Sequence, residues 1–254
     1  MIEVWDVTLP ELTGEEPRRA YLYVPQAAED ERLRFPVLYM FDGHNVFFDE
    51  DATYGKSWGL GEYLDARQTP LIVAAVECNH DPDNGRISEY APYPFSSRGF
   101  GTIESRGALT MDWLIRSFKP EIDRSCPTLP DREHTFIAGS SMGGLMSICA
   151  LSRFNGVFSR AAALSPSLDF GADKLEALIR AADIAPDSVL YMDMGETELG
   201  RRGATRRFWR FASLLSEKGA RVTARIVPGG RHCEASWEKQ IPFFLPTLLY
   251  GSEE

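Results

Sequence analysis

The chain has 254 residues, 44% of them hydrophobic and 25% charged, with a formal net charge of −10, the composition of a globular protein long enough to bury a core without staples. No run approaches the roughly 20 apolar residues of a membrane helix, and an acidic chain lacks the basic face that phosphate backbones demand, so neither membrane nor nucleic acid is expected as a partner. The opening MIEVWDVTLP carries acids where an export signal carries a basic and then an apolar stretch, and the four cysteines include no CxxC pair; both features predict a cytoplasmic protein with reduced thiols.

In chain order, short apolar runs predict strands at 2–9, 20–24, 36–41, 71–76, 135–138, 161–164, 189–192 and 222–227. The runs VLYMF and LIVAAV are apolar at nearly every position. Strands buried on both faces read this way, as in a parallel sheet covered by helices. No helical stretch separates the first two strands, which predicts an antiparallel start. Further along, Met111, Leu114, Ile115, Phe118 and Ile122 fall on one helical stripe. Leu175, Leu178, Ile179 and Ala182 form another, and Phe208, Phe211, Ala212 and Leu215 a third that stops at Gly219. These stripes are core faces. Alternating strands and helices predict an α/β fold, with a mostly parallel central sheet and helices on both faces. No repeat, linker or low-complexity tract divides the chain, so one domain is expected over 1–254. Segments 42–56 and 77–101 fit neither period. Each follows a strongly apolar strand, and ligands bind beyond the carboxyl ends of such strands, so both are candidate pocket walls.

The most informative motif is Gly139-Ser140-Ser141-Met142-Gly143, between the run TFIA and the helix-like LMSICALSRF. Composition alone yields roughly 0.13 chance matches to G-x-S-x-G in such a chain. Its position between strand and helix is what makes it a nucleophile elbow. A tight turn demands tiny neighbours, and the serine then stands at a helix N-terminus, whose dipole favours developing negative charge. Ser140 competes with Ser141, but only Ser141 is centred between the glycines.

A serine hydroxyl needs a base to take its proton. With an elbow of this type the partners follow in the order Ser, acid, His. Of the four histidines, only His232 lies downstream of Ser141; His134 directly precedes the nucleophile strand, at its wrong end. The acid must come from between them, after a strand. Asp193, Glu196 and Glu198 all qualify by position. An oxyanion hole needs two backbone N–H groups. One is assigned to Met142. The other is assigned to Gly43 or His44, in the turn-rich exit from VLYMF.

These residues carry a resemblance. VLYMFDGHNVF, the stretch Arg86-Ile-Ser-Glu89-Tyr90, AGSSMGG, a strand followed by GETE, and GGRH are together similar to the "putative esterase" branch of the α/β-hydrolases, over about residues 36–246. That branch includes esterase D, feruloyl and acetyl-xylan esterases, enterochelin esterases and mycolyltransferases. The resemblance implies an α/β-hydrolase fold without a large lid domain, and no cofactor. It also implies Glu198 as the acid, at the fourth position of a strand-end G-x-x-D pattern where Asp is commoner. The family often has Gln where His44 stands.

The expected function is therefore serine carboxylic-ester hydrolysis through an acyl-enzyme, on a small-molecule ester: a feruloyl or acetyl sugar ester, a short acyl ester or a siderophore ester. The alternatives are acyl transfer to an alcohol or sugar, and a non-catalytic sensor that keeps a hydrolase pocket. Trp58 and Tyr90 are candidate substrate-binding walls, with Tyr54, Tyr93 and Phe95 nearby in sequence. Arg201, Arg202, Arg206, Arg207 and Arg210 cluster after the acid, as a solvated helix face or an anion-binding edge. No histidine–carboxylate set has metal spacing, so no metal is expected. Oligomeric state leaves no mark on the sequence.

Overall fold

A computed structural model describes residues 2–200 and 202–251. Eight strands form one sheet: β1 (Ile2–Thr8), β2 (Pro17–Tyr23), β3 (Val37–Met40), β4 (Ile72–Val76), β7 (Thr135–Ser140), β8 (Arg160–Leu164), β9 (Val189–Gly195) and β10 (Arg221–Val227). A hairpin of β5 (Phe95–Ser97) and β6 (Gly101–Ile103) stands apart from it; its three-residue strands are too short to show a period in sequence. The order across the sheet is β1-β2-β4-β3-β7-β8-β9-β10. The pairs β1–β2 and β2–β4 are antiparallel, and every later pair is parallel.

The apolar runs have the burial that their composition implies. In β3, Val37 and Tyr39 face one core cluster while Leu38 and Met40 face the other. Ala161 and Ala163 alternate with Ala162 and Leu164 in the same way in β8. Side chains alternate across a pleated strand, so two covered faces require apolar residues at every position. One cover carries the helices Met142–Arg153, Ala172–Ala181 and Ala204–Glu217, joined by a long helical stretch over 107–125. Within that stretch the ladder widens to a π turn at Leu114–Phe118, two residues before Pro120, whose ring and missing N–H disturb the normal i→i−4 pattern. The opposite cover carries Leu60–Arg67 and the C-terminal helix Ile241–Tyr250.

Two strands run further than their apolar cores. β7 continues to Ser140, and β9 continues through Asp193 to Gly195. Both extensions end at the carboxyl edge of the sheet, where the functional groups collect. No helix among the described residues is long and apolar enough to cross a membrane.

Candidate active site

Ser141 caps the helix Met142–Arg153 in a strained conformation, with φ 57° and ψ −119°. Such backbone is costly for a residue with a side chain and persists only where its surroundings enforce it. The glycines make the turn feasible. A Cβ on Gly139 would lie 2.8 Å from the Gly143 carbonyl carbon, and one on Gly144 would lie 3.1 Å from the Leu164 carbonyl oxygen. The Ser141 N–H donates to Leu164 O at 2.9 Å, and the Ser167 N–H donates to Ser141 O at 3.0 Å. Strand β8 and its exit therefore hold the elbow in place.

The Ser141 Oγ stands 2.9 Å from His232 Nε2, and His232 Nδ1 stands 2.5 Å from Glu198 Oε2. These three side chains come from the exits of β7, β10 and β9, parallel neighbours or near neighbours at one end of the sheet. The other carboxylate oxygen of Glu198 accepts from Ser165 Oγ at 2.6 Å and from the Gly195 N–H at 3.0 Å. Burial pushes the Glu198 pKa up. The hydrogen bonds from His232, Ser165 and Gly195 outweigh it, leaving the carboxyl below its ordinary value. Ser165 is itself held at φ 43° and receives a hydrogen bond from Trp237 Nε1 at 3.1 Å.

The rival acids have other partners. Glu196 Oε2 accepts from the Gly229 N–H at 2.8 Å, which braces the loop carrying His232. Asp193 lies inside β9 and accepts from the Ser165 N–H at 3.1 Å and from the Tyr191 hydroxyl at 3.0 Å. Burial raises its pKa from 3.8 to about 7. The folded protein thus keeps this proton where the unfolded chain releases it. The resulting stabilisation is complete below about pH 4 and fades as pH rises toward 7. Asp193→Asn is expected to remove that fading, so the stability of the variant relative to wild type rises between pH 4 and 7 and then levels off. Urea denaturation of both proteins across that range measures it; parallel curves would contradict it.

On the other side of the elbow, Asp42 leaves β3 in the left-handed region at φ 57°. Arg86 grips its carboxylate with two hydrogen bonds of 2.6 Å, and the Asp42 N–H donates to the Tyr90 hydroxyl at 3.2 Å. Arg86, Glu89 and Tyr90 share the short helix Gly85–Glu89 and its cap. Glu89 in turn pairs with buried Arg18 at 2.7 Å. The Arg-x-x-Glu-Tyr stretch is therefore a brace for the exit of β3. Burial pushes the Asp42 carboxyl up, but the Arg86 guanidinium holds it below its ordinary value. The 3₁₀ turn Gly43–Asn45 uses the N–H groups of Asn45 and Val46, so those of Gly43 and His44 lie outside its own ladder. The Met142 N–H, first in its helix, likewise has no intrahelical acceptor. The imidazole of His44 is buried, which pushes its pKa below the ordinary histidine value.

A cavity of about 710 Å³ opens over Ser141 and His232. Its walls include Ile87, Phe100, Leu168, Phe170 and Met194, with Arg86, Arg207 and Arg231 as cationic members. Phe170 stacks on Phe95 with ring centroids 4.7 Å apart, so Phe95 supports the wall from behind. The aromatic expectations need correction. Trp58 is only 3% exposed and packs on Trp237 and Phe244 in the core. Tyr90 is 1% exposed, edge-on to Phe41, and serves the Asp42 brace. Tyr93 is buried and donates its hydroxyl proton to Phe170 O, whereas Tyr54 projects into solvent. Segment 42–56 contributes no wall among the described residues, because Val46 and Phe47 turn it into the core; segment 77–101 contributes Arg86, Ile87 and Phe100. Of the arginine cluster, Arg207 lines the cavity and pairs with Asp169, and Arg210 pairs with Glu176. Arg202 and Arg206 are exposed, and Arg201 lies outside the described residues. His134 pairs with Asp131 at the amino end of β7. Sequence reasoning missed Ser165, Ser167 and Phe170. The signal was available, because Ser-Pro-Ser directly follows a predicted strand at the sheet's carboxyl edge.

Comparison with known proteins gives a consistent picture. The family model described as "putative esterase" matches residues 13–248. The protein YbbA of Bacillus subtilis (strain 168) is 23% identical over 184 residues, which cover 71% of this chain and 69% of YbbA. Among solved structures, a ferulic acid esterase superposes with a TM-score of 0.68 at 16% identity, over 98% of each chain. The siderophore hydrolase EstA from Aspergillus nidulans gives a TM-score of 0.68 at 16% identity, over 98% of this chain and 95% of that one. The enterobactin and salmochelin hydrolase IroE gives 0.67 at 20% identity, over 99% and 95%.

Proposed function

This chain belongs to the "putative esterase" family of α/β-hydrolases, and on that premise we propose that it hydrolyses a small carboxylic ester through an acyl-enzyme on Ser141. The observation that carries this reading is the unbroken hydrogen-bond line from Ser141 Oγ through both ring nitrogens of His232 to Glu198. As Ser141 Oγ attacks the ester carbonyl, His232 Nε2 takes its proton. Glu198 holds Nδ1–H and stabilises the imidazolium that forms. We assign the oxyanion to the Met142 N–H and to the N–H of Gly43 or His44, which lie outside their own helical ladders. His232 then protonates the departing alcohol. Water, deprotonated by the same nitrogen, cleaves the acyl-enzyme and frees Ser141.

The cavity supports a small substrate with an apolar or aromatic acyl part. Phe100, Phe170, Leu168 and Met194 offer contact area, and Arg231 adds positive charge, while Arg86 and Arg207 are paired with Asp42 and Asp169. Feruloyl esters and catecholate siderophore esters carry the aromatic acyl part that this lining suits, and acetyl or short acyl esters would fill only a part of it. Release of p-nitrophenol from p-nitrophenyl acetate tests the reaction. Hydrolysis predicts continued release well past one equivalent of enzyme. A stop at one equivalent would point to a non-hydrolytic acyl carrier, and no release from this or from feruloyl and trilactone esters would overturn the reading.

A further inference from the structure

Strands β3 and β4 are paired parallel neighbours, so the loops leaving their carboxyl ends emerge side by side. They bring His44, Cys78 and His80 together, with one ligand-type atom from each within 4.8 Å of the others. The imidazoles of His44 and His80 meet edge to face, with centroids 4.9 Å apart. His44 is only 3% exposed. Its Nε2 lies 3.0 Å from Thr53 Oγ1, whereas its Nδ1 is buried with no hydrogen-bond partner. A buried N–H without an acceptor is costly, so the proton belongs on Nε2, donated to Thr53. Nδ1 then presents an unused lone pair, the arrangement in which the far nitrogen of a metal-binding histidine is fixed by a second residue. Cys78 is buried beside it, and His80 is exposed, which opens the cluster to solvent from one side.

We propose that His44, Cys78 and His80 form a binding site for a borderline-soft divalent cation of the zinc type, separate from the Ser141–His232–Glu198 line. Two imidazoles and a thiol suit Zn²⁺ and not Mg²⁺ or Ca²⁺, which take oxygen ligands. Tetrahedral bonds of about 2.0–2.3 Å set ligand atoms roughly 3.3–3.8 Å apart, so the trio closes by at most about 1.5 Å, a movement within reach of the exposed His80 ring. The ion replaces the Cys78 thiol proton: the S–H bond breaks, the S–Zn bond forms and the proton passes to solvent. Because His44 also belongs to the turn assigned to the oxyanion, occupancy slows ester turnover; this consequence rests on the proposed mechanism, whereas binding itself does not.

Equilibrium dialysis of the metal-stripped protein against Zn²⁺ tests the site, with Co²⁺ as a spectroscopic substitute. One equivalent of Zn²⁺ is expected, with affinity reduced tenfold or more in both His80→Ala and Cys78→Ser. The Co²⁺ form should show a thiolate charge-transfer band that Cys78→Ser removes and His232→Ala retains. Since His80 is exposed, its variant remains informative if Cys78→Ser misfolds. Unchanged affinity in His80→Ala and Cys78→Ser, or binding that needs His232 instead, would overturn the site. Zn²⁺ should slow wild-type turnover and leave His80→Ala unaffected; bound Zn²⁺ with unaltered wild-type turnover would overturn the coupling. Loss of the esterase reading would leave the binding isotherms as they are.

Discussion

Ser141→Ala is expected to lower ester turnover by ~10³-fold or more, with the fold retained. The substitution deletes a single oxygen at the floor of the cavity, and that oxygen is the one within 2.9 Å of His232 Nε2. Nothing nearby replaces it. Ser167 Oγ lies 3.3 Å from Ser141 Oγ, but no hydrogen bond links it to His232 among the described residues. Ser140 is the other serine of the motif and is buried in β7. Ser140→Ala should therefore be mild. Steady-state rates of both variants, with circular dichroism as the check on folding, decide the matter. A Ser141→Ala protein with a near-normal rate would remove the serine mechanism.

Glu198→Gln is expected to cost kcat about 10³–10⁴-fold, because the amide spoils the tautomer of the base. Glu198 Oε1 already accepts from Ser165 Oγ and from the Gly195 N–H. In the glutamine, the amide oxygen is drawn to those two donors, which leaves the NH₂ facing His232 Nδ1. That donor needs an acceptor on Nδ1, and the ring proton must then move to Nε2, the nitrogen that has to receive the serine proton. Glu196→Gln should stay within about tenfold of wild type, since the glutamine oxygen can still accept from the Gly229 N–H that Glu196 engages at 2.8 Å. Purified variants compared in the same ester assay give the ranking. The reverse order would transfer the acid's role to Glu196.

The parts of this protein that could be read along the chain are those governed by local periodicity and local sterics. VLYMF and LIVAAV announce strands covered on both faces because alternate side chains must enter two cores, and Val37, Leu38, Tyr39 and Met40 do so. The elbow is legible because only glycine tolerates the 2.8 Å approach at Gly139. The order Ser, acid, His is an expectation from the type of elbow, and Ser141, Glu198 and His232 stand at the exits of β7, β9 and β10 on one edge of the sheet. The acid was harder: Asp193, Glu196 and Glu198 lie within six residues, and the family pattern had to choose among them. Their distinction depends on where β9 ends, and that strand runs past its apolar core to Gly195.

Aromatic residues marked the limit of local reading. Trp58 and Phe170 are alike in apolar character, yet Trp58 packs under the C-terminal helix and Phe170 faces the cavity. Burial of an isolated loop aromatic depends on which elements lie above it, and a single chain segment carries no record of that. The His44–Cys78–His80 cluster shows the same limit in another form. No ligand spacing links residues 44 and 78, because their meeting is fixed by the placement of β4 next to β3 in the sheet. By itself the sequence determined the layered α/β architecture and the strained serine turn, since these rest on periodicity and on sterics between near neighbours, and the type of elbow then set the expected chain order of its partners. The family resemblance singled out Glu198 and the tertiary structure seats it on His232, whereas only the tertiary structure decided which aromatics line the cavity and which side chains from separate loops converge, because those contacts arise from strand order and from loops crossing at the sheet's carboxyl edge.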